Sequence, residues 1–150
     1  MMISHLYILD ASVIVKLFNK ECEESTEEAE DILDAAHRGI HLLATCDLAV
    51  HEVFNVLIRS KGVRGRDLEL AVERFFALPC QLLQTDASCA ALAAMIATES
   101  GITFYDAVYL AQTQRRNAPL ITANPKHQRS SRGIEVISLD QWFSFKQKTA

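Results

Sequence analysis

A chain of 150 residues, 49% hydrophobic and 23% charged, is long enough to bury one core and too apolar to remain disordered. With 15 Lys and Arg against 19 Asp and Glu its formal net charge is -4, which excludes the global basic field of a dedicated nucleic-acid binder, so any contact with nucleic acid is local. No apolar run approaches the roughly 20 residues of a bilayer span, so no membrane is expected; the start Met1-Met2-Ile3-Ser4-His5 has no basic segment ahead of a long apolar run, and the expected compartment is the cytoplasm.

In chain order, Leu6-Tyr7-Ile8-Leu9 is a continuous apolar run that stops at Asp10 and gives way to Val13-Ile14-Val15, the pattern of a buried strand emptying into a helix. Ser25-Thr26-Glu27-Glu28 matches a capping box, and Ala29, Ile32, Leu33 and Ala36 recur at the spacing of one buried helix face, closed by Gly39. Residues 40–44 read as a second strand and residues 45–61 as a helix stopped by Gly62. Asp67 is placed to cap a further helix that ends before Pro79, and residues 81–84 form a third strand. Asp86 caps an alanine-rich helix closed by Gly101. A helix over 105–117, strands over 119–122 and 134–137 and a final helix near 140–143 complete the chain, with a frayed tail after it. Strands separated by helices predict an α/β fold, with parallel pairing, right-handed crossovers and helices on both faces. Cys22, Cys46, Cys80 and Cys89 are scattered, with no C-x-x-C pair, and read as reduced thiols.

Four oxygen-bearing positions fall where such a fold gathers ligands. Asp10 ends the first strand, although Asp10 or Ser12 would equally suit a helix cap. Glu52 interrupts an apolar helical run between Leu48 and Val56, but could instead share a polar face with His51, Asn55 and Arg59. Asp106 lies in the first turn of a helix, where the macrodipole favours an acid, yet between two tyrosines. Asn124, after the strand end Ile121-Thr122-Ala123, is either a ligand or a turn former before Pro125. With no cationic partner inside these motifs, converging carboxylates would repel one another, and Mg²⁺ or Mn²⁺ is the usual resolution.

These stretches together resemble the PIN-domain family, and specifically the VapC-type toxin ribonucleases. The similarity rests on Leu9-Asp10-Ala11-Ser12, on Leu48 through Glu52 to Asn55 and Leu57, on Tyr105-Asp106-Ala107 leading into Tyr109-Leu110-Ala111, and on Thr122-Ala123. The resemblance implies a three-layer α/β/α sandwich with a central parallel sheet, here one PIN-like domain over residues 1–143 with a tail over 144–150. It implies a divalent-metal-dependent endoribonuclease, with Asp10 and Asp106 as the main metal ligands, Glu52 as a further acid, and Ser12 and Thr122 as supporting hydroxyls. It also implies a homodimer and an antitoxin partner. The family usually has an acid where Asn124 stands, and an amide offers a carbonyl oxygen without charge, which bears on a second metal.

Lys126, His127, Arg129 and Arg132 follow the fourth strand as a basic segment able to neutralise RNA phosphates, or simply to face water. Phe104 and Tyr105 are expected in the core rather than stacked on a base. The alternative function is a catalytically weak or inactive PIN module that binds RNA or protein. A phosphate-accepting receiver-like domain finds its Thr in Thr122 but no Lys at the end of the next strand, and a dinucleotide-binding domain lacks G-x-G-x-x-G.

Overall fold

The computed structural model describes residues 4–21, 23–129 and 132–149. The chain alternates strands and helices in the order β1 (His5–Leu9), α1 (Ala11–Val15), α2 (Thr26–His37), β2 (His41–Cys46), α3 (Leu48–Arg59), α4 (Gly65–Phe76), β3 (Cys80–Leu83), α5 (Ala87–Ser100), α6 (Phe104–Arg116), β4 (Leu120–Thr122), β5 (Val136–Ser138), a single 3₁₀ turn (Leu139–Gln141) and α7 (Trp142–Thr149). The five strands form one parallel sheet in the order β3-β2-β1-β4-β5, the centre of an α/β/α sandwich. The inner strands are buried on both faces, which explains why β1 reads as an uninterrupted apolar run: Tyr7, Ile8 and Leu9 are all core.

Strand order decides where a ligand can bind. From β1 the chain builds outward through β2 and β3, then crosses back to add β4 and β5 on the other side of β1. The order therefore reverses between β1 and β4, and a crevice opens beyond their carboxyl ends. Leu9 lies opposite Thr45 and Ile121, and the N–H of Asp10 donates to the carbonyl of Ile121 at 2.9 Å, so Asp10 and Thr122 leave the sheet side by side.

Aspartate side chains start α3 and α5. Asp47 accepts from the N–H of Leu48 (2.9 Å) and also from the N–H and hydroxyl of Thr85 (3.0 and 2.7 Å), tying the start of α3 to the end of β3. Asp86 accepts from the N–H of Cys89 at 2.7 Å, and α5 stops at Gly101, whose φ of 64° is left-handed. Three local expectations are corrected. Ser25 precedes α2, but with φ at 57° it makes no side-chain capping bond, so the capping box does not form. Asp67 lies inside the first turn of α4, which begins at Gly65. Residues 146–149, expected to fray, are the last turns of α7: Lys146 Nζ reaches Asp31 on α2 at 2.6 Å, and Trp142 Nε1 donates to the same carboxylate at 2.8 Å. Trp142 is fully buried edge-on to Tyr7, with ring centroids 5.3 Å apart.

Candidate active site

Asp10 stands at the switch point with an extended backbone (φ -71°, ψ 150°) and is only 7% exposed. Oδ2 accepts from the hydroxyl of Thr122 at 2.6 Å and from Nε2 of Gln128 at 3.3 Å, whereas Oδ1 has, among the described residues, only the N–H of Ser12, at 3.4 Å. Asp10 does cap α1, by that long bond, and it also faces the crevice; the two roles coexist. Ser12 Oγ accepts from the N–H of Ala123 at 3.0 Å and lies 3.4 Å from Thr122 Oγ1, which accepts from the N–H of Asn124 at 3.0 Å. The two hydroxyls thus fasten the end of β1 to the end of β4.

Glu52, on the second turn of α3, is half-buried and accepts from the phenol of Tyr109 at 2.8 Å through Oε1, while His51, Asn55 and Arg59 lie on the exposed side. Asp106, in the first turn of α6, donates its N–H to Thr103 Oγ1 (3.1 Å) and accepts the hydroxyl of Thr103 at Oδ2 (2.7 Å), which fixes the carboxylate on the helix start. The side chains of Asp10, Ser12, Glu52, Asp106, Asn124 and His127 line one cleft of about 300 Å³. Burial pushes the Glu52 carboxyl above its ordinary range, and the charges of Asp10 and Asp106 push it the same way against the Tyr109 hydrogen bond. Burial and the charges of Glu52 and Asp10 drive the Tyr109 phenol far above its usual value, so it remains a neutral donor.

The sequence offers no cation within these motifs, yet Lys16 lines the cleft wall. It is committed to Glu23 at 2.8 Å, and Glu23 also takes Lys61 at 2.5 Å. Burial acts to raise the Glu23 carboxyl, but the two lysines outweigh it and hold it below the usual range. Among the described residues no three Asp, Glu, His or Cys side chains stand close enough to hold one ion between them.

Of the basic segment, Lys126, His127 and Arg129 are exposed on the loop after β4, and His127 reaches the cleft. Arg132 is engaged elsewhere, its Nε and Nη2 each 2.8 Å from the carboxylate of Glu99. Asn124 is a turn former, its carbonyl accepting from the N–H of His127 (3.0 Å), and the residue also lines the cleft. Phe104 and Tyr105 are 43% and 63% exposed, so the expectation that they fill the core is corrected; the core aromatic of α6 is Tyr109. Sequence reasoning missed Tyr109 as the partner of Glu52, although it lies three residues after Asp106 and so on the same helix face. It also missed Gln128 and the Lys16–Glu23 pair, for which no local pattern exists.

The sequence matches the family described as "PIN domain" over residues 7–133. No functionally curated protein matches the chain. Among solved structures, it is similar to PAE2754 from Pyrobaculum aerophilum (20% identity, 97% of this chain and 99% of that one, TM-score 0.67). It is also similar to VapBC2 from Rickettsia felis, described bound to a DNA fragment from its promoter (16%, 89% and 98%, 0.66). A third likeness is to VapC20 from Mycobacterium tuberculosis, described as a sarcin-ricin loop cleaving toxin (16%, 76% and 86%, 0.58).

Proposed function

The chain belongs to the PIN-domain family, and from that premise we propose that it is a divalent-metal-dependent endoribonuclease, the toxin of a toxin–antitoxin pair. The observation that carries this reading is the convergence of Asp10, Glu52 and Asp106 on one cleft at the point where strand order reverses. The carboxyl of Glu52, raised in part by its acidic neighbours, marks a repulsion that a cation would relieve. Hard oxygens with no cysteine or histidine among the acids suit Mg²⁺ or Mn²⁺, and Mg²⁺ commonly needs only one or two carboxylates, with water completing its shell. Asp10 and Asp106 are the residues that would hold it, with Glu52 as a third acid. Bound there, such an ion supplies positive charge to a scissile phosphate and acidifies water beside it.

The chain's own residues supply the rest. Thr122 and Gln128 hold Asp10 through neutral donors and so leave its charge intact. Tyr109 fixes one oxygen of Glu52, and in this reading the other would serve as the base that takes a proton from water. Lys126 and Arg129 provide local positive charge for RNA phosphates on a chain that is acidic overall, with His127 beside them as a hydrogen-bonding group. An antitoxin partner, a homodimer and a cytoplasmic setting complete the proposal. The Rickettsia felis VapBC2 structure supports the antitoxin partner, the homodimer and the compartment carry over from the family resemblance, and among the described residues no single helix is long and apolar enough to cross a membrane.

Asn124 favours a second reading, a PIN module that binds RNA without cutting it, because an amide stands at the cleft where the family usually has an acid. Incubating a single-stranded RNA with the protein in Mg²⁺, in Mn²⁺ and in chelator separates the two. Metal-dependent internal cleavage is expected; retained RNA with no products at saturating Mn²⁺ would establish the binding module instead.

A further inference from the structure

Resting on the reading that a divalent ion binds against Asp10, we propose that Gln128 is a positioning residue for that carboxylate: with Thr122 it occupies Oδ2 and so leaves Oδ1 for the ion. Gln128 is 3% exposed, although its neighbours Lys126, His127 and Arg129 face water. The turn after β4 accounts for this, since the N–H of His127 donates to Asn124 (3.0 Å) and that of Gln128 to Pro125 (3.3 Å), and the chain folds back until Gln128 points inward. Its Nε2 then meets Asp10 Oδ2 at 3.3 Å, across 118 positions of sequence.

The other end of the amide shows that this is more than core filling. Oε1 is buried and, among the described residues, has no hydrogen-bond partner. A buried carbonyl left unmatched is a poorer filler than an apolar chain of similar length, so volume alone gives no reason for glutamine here. What the amide provides and methionine lacks is the N–H on Asp10. A neutral donor is also the type the site needs. Lysine or arginine there would fix the carboxylate equally well, but its charge would compete with the ion.

Gln128→Met tests this in the full chain, with Mn²⁺ binding followed by electron paramagnetic resonance and apo-protein melting by circular dichroism. The expected result is a melting temperature equal to or above wild type, because an unmatched carbonyl is removed, with Mn²⁺ affinity weakened about tenfold, the usual scale for losing an outer partner of a metal ligand. Gln128→Leu repeats the test should the methionine chain fail to fold. Unchanged Mn²⁺ affinity in a folded variant overturns the positioning role alone, and so does an affinity that falls only in step with stability. A wild type that binds no Mn²⁺ overturns the metal reading as well.

Discussion

At Asp10 one carboxylate serves two demands that its position makes compatible: Oδ2 is tied to the scaffold by Thr122 and Gln128, and Oδ1, with one long bond to Ser12, faces less competition. Asn124 poses the complementary question, since it lines the cleft without charge. Asn124→Asp is expected to tighten a weak second divalent site by on the order of tenfold, given the Coulomb attraction between a carboxylate and a dication. Calorimetric Mn²⁺ titration reads it directly, and unchanged stoichiometry and affinity would assign Asn124 to its turn alone. The shared cleft of Asp10, Glu52 and Asp106 was foreshadowed in the sequence, because one acid ends a strand, one interrupts an apolar helix run and one stands between two tyrosines at a helix start. Gln128 was not, because a glutamine in a polar loop is unremarked until the loop's turn is known. The Lys16–Glu23 pair escaped for a related reason: it joins a helix end to a link that reads as solvated acid.

Among the elements, long apolar runs were legible and ends were less so. The edge strand β3 leaves Gln81 and Leu82 exposed, so its pattern is diluted, and β5 is only three residues long. The final helix was read too short because Lys146, Gln147 and Lys148 look like a solvated tail; its anchor, Asp31, is distant in sequence. Burial acts to raise the Asp31 carboxyl, but bonds from Lys146 and Trp142 outweigh it and hold it below the ordinary range. A depressed acid binds fewer protons folded than unfolded, so its contribution is present above the ordinary Asp value and lost as pH falls through the folded one. Asp31→Ala should therefore cost about 1–3 kcal/mol near neutral pH, chiefly by leaving the buried indole N–H unmatched, the partly exposed lysine pair adding little. In urea unfolding the wild-type advantage should shrink as the pH is lowered below the ordinary Asp range; a constant difference across that range would contradict the assigned anchor.

For the whole molecule, the succession of strands and helices predicts a parallel α/β fold, but strand order is a property of long-range pairing: it was not legible in local pattern, and it is the structure that gives it. That order creates the crevice, by sending the chain to both sides of β1. The same core encloses the thiols of Cys46 and Cys89, and that of Cys80 is half-buried against it. Cys46, Cys80 and Cys89 are free, and Cys22 lies outside the described residues. Burial lifts Cys80 to about 12 and raises Cys46 as well, and it raises Cys89 despite a bond from Arg115. Because the thiolate is the reactive form, iodoacetamide at neutral pH should leave these three unmodified in the native protein and modify all of them in urea, as counted by mass spectrometry; rapid native labelling would contradict so closed a core. The central claim is that Asp10 and Asp106 hold a divalent ion that makes this cleft a nuclease. It is tested most directly by titrating Mn²⁺ into wild type, Asp10→Asn and Asp106→Asn while following both ion binding and cleavage of a single-stranded RNA. The account predicts that wild-type cleavage rises with Mn²⁺ occupancy and stops in chelator, and that both variants stay folded but lose binding and cleavage together. Cleavage at the wild-type rate in both variants would contradict it.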